Sequence, residues 1–175
     1  MARIVGYIAT SLDGFIAKPD GNLDWLVSQQ FDAGEFTYEA FIKTIRTVVM
    51  GRDTYDWLEK EPMDWPYADQ RAIVVTSRPM PNPKGEIEIW SNGVDALIAH
   101  LRALEDGDVW MIGGGRLQMA FMERGALDEI EIYVIPELLG AGIPLFPPTG
   151  FRASPKLLSV HHLPPGVVRL KYSLA

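Results

Sequence analysis

The chain alternates between short apolar runs rich in β-branched residues and stretches whose apolar residues recur at helical spacing. Residues 3–10 read as a buried strand, and Thr47 to Met50, Arg71 to Thr76 and Val109 to Ile112 have the same character. Ile87 to Trp90 is a short alternating run that predicts a further strand. Residues 33–45 place Phe36, Ala40, Phe41 and Ile45 on one stripe and Glu35, Glu39 and Lys43 on another, the pattern of an amphipathic helix. Shorter helices are predicted over Arg52 to Leu58, over Val94 to Ala103, and after the glycines at 113–115, where Leu117, Ala120, Phe121 and Arg124 keep helical spacing. Leu127 to Ile135 alternates and predicts a strand. Two last strands, near Lys156–His161 and Val167–Leu174, straddle the break at Pro164-Pro165-Gly166.

The connections add to this pattern. Ser11-Leu12-Asp13-Gly14 turns the chain, Phe15 to Ala17 is a short apolar return, and Pro19-Asp20-Gly21-Asn22 turns it again. Residues 11–30 therefore form a long aromatic-bearing loop, of a length that often serves as a lid. Residues 59–70 and 136–148 are loops rich in Pro with Trp or Gly, and no regular structure is expected over Pro79 to Gly85. Helices alternate with strands along the first two thirds, and strands alone follow. That order predicts an α/β fold with a mostly parallel central sheet, helices on both faces and an antiparallel C-terminal edge. No internal repeat, low-complexity tract or linker interrupts residues 1–175, which read as one domain.

Composition removes several classes of function. The 175 residues are 47% hydrophobic and 22% charged, enough for a sizeable core. No apolar run reaches the roughly 20 residues of a membrane span, and Asp13, Lys18 and Asp20 interrupt any signal peptide. No membrane partner and a cytoplasmic location are expected. The absence of cysteine excludes disulfides, a thiol nucleophile and thiolate metal sites. His100, His161 and His162 are too few and badly spaced for a metal cluster, so no metal is expected. A net charge of −7 speaks against nucleic acid as a partner. It leaves room for an anionic small molecule, which needs only local positive charge.

Such charge stands at three strand ends. The second long strand ends in Met50-Gly51-Arg52-Asp53-Thr54, the third in Thr76-Ser77-Arg78, and a later one in Ile112-Gly113-Gly114-Gly115-Arg116. Each offers a backbone turn, a guanidinium or a hydroxyl to a phosphate beyond the carboxyl ends of an α/β sheet. Singly, Arg52 also reads as a solvated arginine, Thr54 as a helix-start residue and Ser77 as a turn residue. The dinucleotide fingerprint G-x-G-x-x-G is not met, because Gln118 occupies its last glycine position.

These motifs, in this order, resemble the dihydrofolate reductase-like superfamily. Ser11-Leu12-Asp13-Gly14-Phe15-Ile16-Ala17 and Gly125-Ala126-Leu127-Asp128-Glu129, followed by Pro136-Glu137-Leu138-Leu139-Gly140, are similar to its pyrimidine-reductase branch. That branch is related to the C-terminal reductase domain of the bifunctional riboflavin-biosynthesis deaminase-reductase. The resemblance implies a three-layer dihydrofolate reductase-like fold and NADPH as cofactor. It places Gly51, Arg52 and Thr54 at the cofactor phosphates. Thr76, Ser77 and Arg78 fall at the 2′-phosphate end, and Ile112, Gly113, Gly114, Gly115 and Arg116 at the pyrophosphate, with a cis peptide between Gly113 and Gly114. Ala9, Phe15 and Ile16 fall near the nicotinamide. Counting back to the carboxylate of dihydrofolate reductases reaches Glu35, with Asp32 beside it, and Asp13 in the lid motif is the other candidate proton donor. Asp32 and Glu35 equally read as helix-start carboxylates, and Asp13 as a turn residue before Gly14.

Two positions depart from the branch: Tyr7 stands where it commonly has Lys, and Ile112 where it has Glu. The implied activity is reduction of a pyrimidine- or pteridine-like small molecule, resembling 5-amino-6-(5-phosphoribosylamino)uracil reductase. A true dihydrofolate reductase and a nucleotide-binding module without turnover are the alternatives. Phe15, Trp25, Phe31, Phe36 and Trp57 are candidate walls for a flat ligand, and equally candidates for plain core packing. The apolar residues of 138–146, together with the resemblance, suggest a homodimer.

Overall fold

The structure is a computed structural model in which residues 1–174 are described. In chain order the elements are β1 (Ile4–Ser11), β2 (Phe15–Ala17), α1 (Asp24–Val27), α2 (Tyr38–Ile42), β3 (Ile45–Gly51), α3 (Arg52–Lys60), β4 (Arg71–Val75) and β5 (Glu88–Trp90). They continue with α4 (Val94–Arg102), β6 (Asp108–Gly113), α5 (Gly115–Met122), β7 (Glu129–Ile135), β8 (Ile143–Pro144), β9 (Lys156–Leu163) and β10 (Val167–Ser173). Eight strands form one sheet in the order β5-β4-β3-β6-β1-β7-β10-β9, and β2 pairs with β8 in a separate ribbon. The six strands from β5 to β7 run parallel. Strand β10 is antiparallel to both β7 and β9, which gives the antiparallel C-terminal edge that the pattern predicts.

The central strands are apolar on both faces because both faces are covered. On one face Ile4, Val49, Ile73, Val109 and Met111 pack under Leu97 and Leu101 of α4 and Phe121 of α5. On the other, Val48, Met50, Val74 and Trp110 pack under Tyr55 and Leu58 of α3, with Phe41 and Ile42 of α2 against them. This is the three-layer α/β arrangement of the dihydrofolate reductase-like fold.

The helix expected over residues 33–45 is shorter than its stripe. Asp32 accepts the Gly34 N–H through Oδ1, Gly34 has φ +56°, and Thr37 caps the helix by accepting the Ala40 N–H. Helix α2 therefore starts at Tyr38, and Ile45 already lies buried in β3. The stretch 11–30 is also more regular than expected, since it holds β2 and α1.

Chain direction sets where a ligand can lie. From β1 the chain crosses to β3, β4 and β5 on one side, and then returns through β6 to β7 on the other. Strands β1 and β6 are thus neighbours whose crossovers leave in opposite directions, the arrangement that opens a crevice beyond the strand ends. Gly6, opposite Met111, is the last residue of β1 in register with β6. Beyond it β1 continues on β7 alone as far as Ser11, while β6 continues on β3 to Gly113.

Candidate active site

The three strand ends singled out in the sequence meet along the edge formed by the carboxyl ends of the central parallel strands. Met50 lies opposite Gly113 across the β3–β6 ladder, and Gly51 lies opposite Val75, the residue before Thr76. A β-carbon built on Gly51 would stand 3.6 Å from the Gly114 nitrogen and 3.8 Å from the Gly113 oxygen. One built on Gly114 would stand 3.6 Å from Oγ1 of Thr54. Gly113 has φ +131°, a conformation that side chains disfavour. The Gly113–Gly114 peptide is cis, as the resemblance implies.

Two helices begin at this edge. Helix α3 starts after Gly51 and α5 after Gly114, and neither has a side-chain cap. Their first-turn N–H groups have no partner within the helix, and each helix end carries partial positive charge. Bare glycine backbone beside two uncapped helix starts fits a diphosphate: the groups that attract it point outward and no β-carbon blocks it.

The arginines divide into two kinds. Arg52 donates from Nε to Asp56 one turn along α3, and from Nη1 to the Pro79 carbonyl at 3.1 Å. Arg78 donates to Oδ1 of Asp53 at 3.2 Å and lies 3.9 Å from Asp56. Its own N–H donates to Oγ1 of the buried Thr76, which shapes the turn carrying the exposed Ser77. Arg52 and Arg78 are thus balanced by two carboxylates. Arg116, in the first turn of α5, is exposed and has no ion pair or side-chain hydrogen bond among the described residues.

The expected lid meets the same edge through β8. Phe15 pairs with Pro144 and Ala17 with Ile143, and the Leu145 N–H donates to the Gly14 carbonyl at 2.9 Å. A β-carbon on Gly115 would lie 3.0 Å from Cδ of Pro147 and 3.3 Å from the Pro144 oxygen, so the loop after β8 packs on the start of α5. Phe15 lies in the ribbon and Ile16 packs on the α4–α5 side of the sheet. Ala9 packs with Trp25 and Tyr133.

Asp13 is exposed but held by three hydrogen bonds. Ser11 donates its hydroxyl to Oδ1 at 2.6 Å, and the N–H groups of Leu139 and Gly140 donate to the two oxygens at 3.1 and 2.7 Å. The Ser11 hydroxyl above all, with those two N–H groups, holds this carboxyl below its ordinary value. Its contacts tie the 138–140 loop to the 11–14 turn.

Glu35 lies elsewhere, beside a cavity of about 220 Å³ over the sheet face that α2 covers. Tyr7, Phe36, Phe41, Tyr133 and Arg169 share its wall. Tyr7 stacks on Phe41 with ring centroids 4.1 Å apart, and lies 5.0 Å from Tyr133 and 5.9 Å from Trp110. Burial first, and then the neighbouring Tyr133 and Glu131, push the Tyr7 phenol far above its ordinary value, so it remains a neutral hydrogen-bond donor. Arg169 is only 5% exposed. It donates to Glu131 and to Ser159, and its guanidinium sits 4.1 Å over the Phe36 ring. The Phe36 carbonyl accepts from the Tyr133 hydroxyl at 3.2 Å, which fixes the segment carrying Glu35. Asp32 forms the turn just before it.

Of the aromatic residues read as candidate walls, Trp25, Phe31 and Phe36 share one cluster with Tyr133, while Trp57 packs on the α3 side. The Tyr7, Phe41, Trp110 and Tyr133 cluster was not among the sequence candidates. Strand alternation puts Val5 and Tyr7 on one face, and that was the available signal. Arg169 carried none, because nothing in the sequence pairs it with Glu131 on another strand.

Among the described residues no group of three His, Asp or Glu side chains could hold a metal ion. No helix among them is long and apolar enough to cross a membrane.

Comparison with known proteins agrees with this fold. Residues 3–169 match the model of the RibD C-terminal domain family. The chain is 39% identical over 145 residues to the uncharacterised Bacillus subtilis protein YwjB, covering 82% of each chain. A candidate riboflavin biosynthesis protein from Shewanella sp. PV-4 superposes with a TM-score of 0.86 at 29% identity, covering 99% of this chain and 98% of that one. RibD from Acinetobacter baumannii superposes with a TM-score of 0.72 at 20% identity, over 99% of this chain and 58% of that one, a likeness of fold.

Proposed function

Because the chain belongs to the RibD C-terminal domain family, a family of reductases, we propose that it is an NADPH-dependent reductase of a pyrimidine- or pteridine-like small molecule. The observation that carries this reading is the convergence of Gly51, Thr54, Gly113 and Gly114 beside two uncapped helix starts. In this reading Gly51, Arg52, Thr54, Ile112 and Gly113 to Arg116 hold the diphosphate, with Arg116 supplying the uncommitted charge. Thr76, Ser77 and Arg78 face the phosphorylated adenosine end. Ala9, Phe15 and Ile16 cover the nicotinamide end from β1 and the lid.

When bound, NADPH supplies the hydride. The chain supplies position and a proton. Tyr7 and Phe41, stacked on each other, form part of the aromatic wall of the cavity, and the protonated Tyr7 phenol is a neutral donor there. Glu35, at the cavity beside them, is the carboxyl proposed to deliver the proton that reduction of a C=N or C=O bond requires. Asp13 supports the reaction by holding the lid turn, because its oxygens are already engaged.

Calorimetry with NADPH, followed by NADPH consumption with dihydropteridines and aminopyrimidinones, tests the proposal. Binding, turnover on one of these compounds, and loss of turnover without loss of binding in Glu35→Gln are expected. A wild-type protein that binds no NADPH would overturn the reading. Binding without turnover on any such compound would leave a nucleotide-binding module.

A further inference from the structure

Arg78, read above as the residue facing the phosphorylated adenosine end, is already engaged by a carboxylate that contacts no other side chain among the described residues. Asp53 is wholly exposed, and its Oδ1 accepts from Nη2 of Arg78 at 3.2 Å. Asp56 lies 3.9 Å from the same nitrogen and also accepts from Arg52. Two guanidinium groups and two carboxylates therefore occupy the turn between β4 and the start of α3, with a formal sum of zero. Asp56 has a structural task, since Arg52 also reaches the Pro79 carbonyl and so ties α3 to the turn. Among the described residues Asp53 contacts no side chain but Arg78, and beyond that it only adds negative charge to the first turn of α3, so its loss costs the fold little.

Building on the cofactor reading above, we infer that Asp53 sets how strongly this protein prefers NADPH to NADH. A 2′-phosphate brings about two negative charges to Arg78. It must displace Asp53 from the guanidinium and then lie beside its carboxylate. A 2′-hydroxyl brings no charge, and a carboxylate accepts a hydrogen bond from it. Asp53 therefore subtracts from the affinity for the phosphorylated cofactor and leaves that for the other unchanged or slightly improved. The site as built takes both cofactors with a modest preference, and one uncharged substitution sharpens it.

The test is calorimetric titration of wild type and Asp53→Asn with NADPH and with NADH, at low and at high salt, with thermal midpoints for both proteins. Asp53→Asn is expected to bind NADPH about five- to tenfold more tightly at low salt. Its NADH affinity should be equal to wild type or slightly weaker. The gain should shrink at high salt, because the groups are exposed, and the midpoint should fall only slightly, since Asp53 is a first-turn carboxylate of α3. Unchanged or weaker NADPH binding overturns the inference. So does an equal gain for both cofactors, which would mean a general charge effect on the diphosphate. A wild type that binds neither cofactor fails earlier, at the cofactor reading itself, and takes this inference with it. The asparagine variant cannot produce that outcome, so the two failures are separable.

Discussion

A methyl group on Gly51 would stand 3.6 Å from the backbone nitrogen of Gly114, at ordinary van der Waals distance. Gly51 has φ −79° and ψ 167°, which any residue adopts. Neither space nor backbone in the protein by itself therefore requires glycine there. Gly51→Ala is expected to change stability by less than about 1 kcal/mol, in the stabilising direction if loss of unfolded-chain freedom dominates. Its NADPH affinity should fall by about tenfold or more, because the methyl group occupies the approach to the two helix starts. Thermal denaturation and calorimetry on the same preparation separate the effects. Unchanged affinity would show that no phosphate approaches this edge.

Arg116 and Arg52 should behave differently although both stand at helix starts. Arg116 is exposed and uncommitted, so Arg116→Ala should weaken NADPH and NADH by a similar factor, about tenfold or more for a lost charge-assisted contact. Its midpoint should match wild type. Arg52 joins Asp56 and the Pro79 carbonyl. Arg52→Ala should therefore lower the midpoint as well as the affinity. A variant of Arg116 that loses stability and keeps its affinity would reverse these roles.

The parts of this site that were legible in the sequence are those in which one residue type at a strand end implies a local shape. Gly51, Gly113 and Gly114 could be recognised as an approach for a phosphate because glycine after an apolar run marks a turn without a β-carbon. That they face one another depends on β6 inserting between β3 and β1, an ordering that strand patterns do not encode. The stripe of Phe36, Ala40, Phe41 and Ile45 misled for a related reason. Phe36 lies under Arg169, Phe41 stacks on Tyr7 and Ile45 is in β3, so helical spacing arose from three separate contacts. Nothing in the sequence sets Asp53 and Asp56 apart from the rest of the helix predicted over Arg52 to Leu58. Their effect on Arg78 exists only because β4 runs beside β3.

Asp13 is expected to make the lid sensitive to acid. Its folded value is depressed, chiefly by the Ser11 hydroxyl and then by the N–H groups of Gly140 and Leu139. A depressed carboxyl contributes its stabilisation above the ordinary aspartate value of about 3.9 and loses it as pH falls through the lower folded value. Wild type should thus lose a stabilising contribution below about pH 4 that Asp13→Asn lacks. The midpoint of the variant should be lower near neutrality, and the gap should narrow on acidification. Thermal melts over a pH series measure both. Parallel curves for the two proteins would mean that the carboxylate does not hold the 138–140 loop.

Gly142, in the 136–148 loop, is the position where the packing of that loop on the lid is least able to accept a side chain. A β-carbon there would lie 2.2 Å from the Ala17 carbonyl oxygen, and 3.1 Å from Cβ of Phe15. The first of these is backbone, so the neighbour cannot turn aside, and β8 must separate from β2. Only two residue pairs join these strands, Phe15 with Pro144 and Ala17 with Ile143. The eight-stranded sheet lies outside that pairing, so the damage is expected to be local. Gly142→Ala should cost about 1–3 kcal/mol, as overpacking does, and should raise amide exchange at Leu145, whose N–H donates to Gly14. Exchange in β3, β6 and β1 should stay near wild type. Because Pro144 and Pro147 lie against Gly115 at the start of α5, NADPH affinity should fall together with lid protection. Exchange at Leu145 that stays slow in the variant would show that the ribbon absorbs the methyl group. Fast exchange with unchanged NADPH affinity would detach the lid from the cofactor site.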